Sequence, residues 1–224
     1  MIGTLLALSM VTGPTLPESL RAAMHTVRPA PAFDAWAVPV AKDAPAHPRA
    51  TVYRWWTDSC PWCTQSLPAL EQVRKNAEPA GVRMIAVYHP KPPRMVDPAQ
   101  VAAWAKAKGW HGPVVIDQDW SELEKLAGPL KGLSATSVTL VLDVQRRLQH
   151  AHAGPVLFPS EKPQDAGPNA DFLAMQQALE RFFTPDGQSR LDNSPAGPIL
   201  EVDHNSGPRE ASREEPCIPP SQQL

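Results

Sequence analysis

Cys60-Pro61-Trp62-Cys63 is the one stretch in which residue type and spacing together specify a chemistry. Two thiols separated by two residues, at a point where an apolar strand runs into a helix, are placed to cycle between dithiol and disulfide. The third cysteine, Cys217, lies in Glu-Pro-Cys-Ile-Pro-Pro, so the set reads as a working pair with a remote residue, not as a disulfide framework. Cys217 is expected to be an idle tail thiol, with contact to Cys60 or to another chain as its functional alternative.

Other side chains invite chemistry less specifically. His150 and His152 alternate along one strand face and, with the cysteines, offer copper or zinc a mixed thiolate and imidazole set. A complete ligand set is lacking, so they are expected to be solvated on a hairpin, with no metal and no cofactor required. His89, before Pro90, ends a strand and either faces the site or is an ordinary loop histidine. Asp58 and Ser59 are expected to cap the helix that follows them.

The elements that must position the pair follow from the pattern around it. Residues 50–56 (ATVYRWW), 82–88 (VRMIAVY), 113–117 (PVVID), 138–143 (VTLVLD) and 148–153 (LQHAHA) read as strands, the last two joined as a hairpin. Leu67, Leu70 and Val73 give residues 63–76 a buried helical face, which Pro68 should kink. Asp97-Pro98 opens a helix through about residue 108, and Asp119 with Glu122 forms a capping box for residues 120–127. A last helix spans roughly residues 170–183, and residues 29–40 are extended and interrupted by proline. Alternating strands and helices predict an α/β fold, a mixed sheet covered by helices, with the working site where a strand ends and the next helix begins.

The chain has 224 residues and a formal net charge of -2, which supplies no basic field for nucleic acid. Its 27 prolines against 12 glycines concentrate at the ends and in loops. Residues 30–183 therefore read as one domain, residues 1–29 as a leader or signal segment with linker, and residues 184–224 as a flexible tail. The apolar run over residues 1–13 suits the core of a secretory signal and is too short to span a bilayer. It lacks a preceding positive charge and a clean Ala-x-Ala site, so a periplasmic or secreted location stands beside a cytoplasmic one.

This order of elements resembles the thioredoxin fold, and the details are most similar to the exported TlpA/ResA-like thiol-disulfide oxidoreductases. Trp56 stands four residues before Cys60, Pro68 five beyond Cys63, and the strand over residues 113–117 ends in aspartate, as in that family. The likeness covers roughly residues 30–183. It implies exchange with protein thiols and disulfides, an upstream electron donor or acceptor, and no bound cofactor. A binding module that holds copper or zinc, or carries a static disulfide, is the alternative; peroxide or small-thiol chemistry is a weaker third.

Three positions depart from the family. Ser137, after Thr136, occupies the place of a cis-proline that faces the sulfurs; Arg54 stands where thioredoxins bury an aspartate; and Ser66 replaces a glutamate three residues beyond the second cysteine. No proton acceptor for Cys63 is evident from the motif.

Within the pair, Cys60 at the helix start is the expected nucleophile and Cys63 the resolving thiol. Pro61 suits the first helical turn, and Trp62 between the sulfurs offers either a partner contact or a ring folded onto the protein's own surface. Strand alternation puts Val52, Arg54 and Trp56 on one face. Arg54 either lies beneath the pair and favours thiolate, or sits at an edge paired with an acid such as Asp97.

Overall fold

The β-branched and aromatic runs form strands and the intervening periodic segments form helices, in a computed structural model that describes residues 22–128 and 137–183. In chain order the elements are β1 (Ala35–Val38), β2 (Ala50–Trp56), α1 (Pro61–Gln65), α2 (Leu67–Ala77), β3 (Val82–Tyr88) and α3 (Pro98–Ala107). They continue with β4 (Val114–Ile116), α4 (Ser121–Ala127), β5 (Val138–Asp143), β6 (Leu148–Ala153) and α5 (Ala166–Glu180).

The strands make one sheet in the order β1-β4-β3-β2-β5-β6. β2 pairs in parallel with β3, and β3 with β4, through helical crossovers; β1, β5 and β6 join antiparallel. The extended, proline-bounded segment near the start thus becomes edge strand β1. The sheet is mixed and thioredoxin-like, as expected.

Strand alternation splits the core in two. One cluster joins Val52, Trp56 and Cys63 to Leu67, Leu70 and Val73 of α2 and to Phe172, Met175 and Leu179 of α5. The other joins Tyr53, Trp55, Val87 and Leu140 to Trp120, Leu123 and Leu126 around α4. The cysteine pair therefore belongs to the face that α2 and α5 cover.

Three local expectations are corrected. The helix over residues 63–76 is two helices that break at Ser66, because Pro68 has no N–H to continue the ladder. The last helix begins at Ala166, ahead of residue 170, since Pro168 falls in its first turn where an N–H would have no helical partner. At α4 the Asp119 and Glu122 box does not form: Trp120 takes a left-handed φ of 68°. Asp117 instead accepts from the N–H groups of Glu122 at 3.1 Å and Leu123 at 2.8 Å, and from Trp55 Nε1 at 3.0 Å. Asp97 caps α3 as expected, accepting from Ala99 N at 2.9 Å.

The flexible-extension reading of residues 1–29 and 184–224, with Cys217, lies mostly outside the described residues. Where the leader is described, it runs beside the terminal hairpin, His25 N donating to Leu148 O at 2.7 Å and Leu148 N to Thr26 O at 3.0 Å. Among the described residues no helix is long and apolar enough to cross a membrane.

Candidate redox site

β2 delivers the chain through a short turn to Cys60, which is itself the N-cap of α1 with Pro61 in the first turn. One helical turn brings Cys63 back, with the two Cα atoms 5.3 Å apart and the sulfurs joined as a disulfide. Cys63 N donates to Cys60 Sγ at 3.3 Å. Cys63 is fully buried, Cys60 partly exposed, and Trp62 between them is 57% exposed. The side chain thus expected either outward or folded back points largely outward.

Asp58 and Ser59 do not cap α1, because Cys60 takes that role. Asp58 Oδ1 accepts from Tyr88 Oη at 2.6 Å, while the Thr57 and Ser59 hydroxyls meet at 3.3 Å. Burial, then the hydrogen bond and negative charge of Asp58, push the Tyr88 hydroxyl well above its usual pKa. Trp56 is buried and packs edge-on against Tyr88, ring centroids 5.2 Å apart, forming a floor of the cysteine face.

β5 brings Ser137 across from residues far away in sequence. Its hydroxyl lies 2.7 Å from Cys63 Sγ, and its backbone oxygen accepts from Gly154 N at 2.8 Å. Thr136, named with it from sequence, lies outside the described residues.

Arg54 is neither at an edge nor paired with Asp97. It is buried on the cysteine face of β2, where Nη1 donates to Thr139 Oγ1 and the Gly154 carbonyl, both at 3.1 Å, and Nη2 to the Pro155 carbonyl at 2.7 Å. Among the described residues no carboxylate pairs with it. Burial lowers its pKa to about 10, so it stays a cation at neutral pH. Ser66 shares the Pro155 carbonyl at 3.2 Å and accepts from Leu157 N at 2.7 Å. Ser66 thereby ties the junction of α1 and α2 to the same loop. In the sequence Ser66 reads only as a missing glutamate, and nothing local in its neighbourhood signals this bridge.

His152 is buried and His150 half-buried, so neither is a freely solvated hairpin side chain. His152 Nε2 sits 3.2 Å from Asp171 of α5, and burial lowers the pKa of His152 and takes that of His150 to about 4. His89 is fully buried, edge-on to Trp120 in the opposite cluster with centroids 5.3 Å apart, so it does not face the sulfurs. Among the described residues no group of three or more His, Cys, Asp or Glu is placed to hold a metal ion.

A pair of linked cysteines on the turn leaving the central strand of this sheet defines a thioredoxin-like thiol-disulfide oxidoreductase. The sequence matches the family model described as Redoxin across residues 41–164, and the chain belongs to the redoxin family. No curated protein sequence matches it. Among solved structures it is similar to a Chlorobium tepidum protein assigned as a thiol:disulfide interchange protein DsbE, at 17% identity and TM-score 0.46, over 62% of this chain and 82% of that one. It is also similar to a secreted Mycobacterium tuberculosis disulfide oxidoreductase (13% identity, 55% and 80% covered, TM-score 0.38) and to StoA from Bacillus subtilis (22%, 50% and 78%, 0.38).

Proposed function

We propose that the protein exchanges disulfides with partner proteins, Cys60 attacking and Cys63 resolving. The unequal exposure of the two linked cysteines supports this reading: a partner reaches Cys60, whereas Cys63 is fully buried and out of a partner's reach. In the reducing direction Cys60 thiolate attacks a partner disulfide, forming a mixed disulfide and releasing one partner thiolate. Cys63 then attacks Cys60 Sγ, the mixed bond breaks, and the second partner sulfur leaves, so two electrons pass from the dithiol to the partner. The reverse sequence oxidises a partner dithiol, and an upstream donor or acceptor resets the pair.

Trp62 presents an apolar contact for the partner, Pro61 shapes the first turn, and Trp56, Arg54 and Ser137 support the pair, with Thr136 a further supporting residue by its place in the sequence. The working unit is residues 30–183, flanked by leader and tail. The apolar run at residues 1–13 and the TlpA/ResA-like motif favour action outside the cytoplasm.

Insulin disulfide reduction by the full chain tests the assignment. Cys60→Ser is expected to abolish turnover, and Cys63→Ser to accumulate mixed disulfides through Cys60. Turnover that survives Cys60→Ser would dismiss Cys60 as the nucleophile, and a disulfide that no dithiol reductant opens would dismiss exchange in favour of a static bond.

A further inference from the structure

Cys63 must ionise to resolve a mixed disulfide, yet it is fully buried, and burial disfavours a thiolate. Among the described residues, the one side chain that hydrogen-bonds its sulfur, apart from its disulfide partner, is Ser137, 2.7 Å away and itself 3% exposed. In the disulfide the sulfur bears no hydrogen, so the hydroxyl is the donor. We infer that Ser137 is a catalytic residue of the resolving step, its hydroxyl holding the Cys63 thiolate; this rests on the exchange reading above.

A hydroxyl suits both states of the thiol. It accepts from Cys63 S–H before ionisation and turns to donate to the thiolate afterwards, which a side chain with no O–H or N–H at this position does not do. Serine itself loses no proton. Cys63 gives its proton to solvent before attack; the thiolate then forms the Cys63–Cys60 bond as the Cys60–partner bond breaks, and the partner sulfur leaves as a thiolate, so the charge balances.

The donor is also held in place before the reaction begins. Gly154 N fixes the Ser137 carbonyl at 2.8 Å, and Arg54 fixes Gly154 through its carbonyl and β5 through Thr139. Arg54 is thus a positioning residue for the Ser137 hydroxyl. Hydrogen bonds to charged groups are strong enough that losing this one should slow resolution by about tenfold to a hundredfold.

The test follows a preformed mixed disulfide between Cys60 and a peptide thiol in the full chain, its decay measured by quenched flow across pH. Ser137→Ala and Ser137→Val are expected to slow decay and to move its pH midpoint upward, while Ser137→Thr, matching valine in shape but keeping the hydroxyl, retains both. Equal decay rates and midpoints for the Thr and Val chains would overturn the role of the hydroxyl. Loss of exchange reactivity at Cys60 in the unmodified chain would instead strike the underlying exchange reading, so the two failures are distinguishable. Thermal unfolding of each variant reports folding, and the Thr and Val pair decides the matter even where Ala packs poorly.

Discussion

Arg54 and Ser66 converge on one acceptor, the Pro155 carbonyl oxygen, at 2.7 Å and 3.2 Å. Through that single atom the central strand is bonded to the joint between the helix that carries the cysteines and the helix that buries them. The loop after β6 is therefore a structural part of the redox site, although it contains none of the sulfurs.

Replacing Arg54 tests its charge. The cation lies on the cysteine face with no described carboxylate to neutralise it, so it favours the state in which a thiolate is present, the reduced one. Arg54→Met is expected to shift the redox potential to more negative values by on the order of 30 mV, a tenfold change in the exchange equilibrium with glutathione. An unchanged potential would limit Arg54 to its hydrogen bonds.

Trp62 is the most exposed aromatic near the sulfurs, at 57%. If it anchors protein partners, Trp62→Ala should slow exchange with insulin about tenfold, as for loss of a contact worth about 1.4 kcal/mol. The rate with a small aromatic disulfide should hold steady. Equal slowing of both substrates would place the effect in the disulfide itself.

His89 sets an acid limit. Burial, then the charges of Lys91 and Arg54, take its pKa from the ordinary 6.5 down to about 3, so the unfolded chain binds a proton that the folded one refuses. Its contribution is intact above pH 6.5 and is lost as pH falls from there toward about 3. His89→Phe should flatten the stability curve across that interval in urea titrations; an identical slope would refute neutral burial.

Glu71 adds to the same limit from α2. Burial pushes its carboxyl upward, but the Arg74 guanidinium, bonded to both oxygens at 2.9 Å, and the N–H of His111 hold it below the usual range. A depressed carboxyl stabilises the fold above its unfolded pKa and loses that effect as pH falls through the folded one. Glu71→Ala is expected to cost about 3 kcal/mol at neutral pH, because it leaves Arg74 half-buried without its principal partner. Comparison of wild-type and variant unfolding free energies at neutral and acid pH should show the difference shrinking in acid.

Local chemistry made much of this legible in the sequence. β2, β3 and β5 fall where β-branched and aromatic runs place them, β6 follows as the second arm of a hairpin, and the cysteine pair declares itself by spacing alone. Helix starts were less legible, since Asp117 and Asp119 both precede α4 and share its free N–H groups, Asp119 accepting from Ser121 and Asp117 from Glu122 and Leu123. By itself, the sequence determined the redox pair, the strands around it and the mixed sheet, because short-range patterns encode them. Tertiary structure alone decided that Ser137, 74 residues from Cys63, meets its sulfur, and that Arg54 bonds carbonyls 100 and 101 residues away. Those contacts arise when β5 closes antiparallel on β2, and such long-range pairing leaves no mark in the residues beside either end.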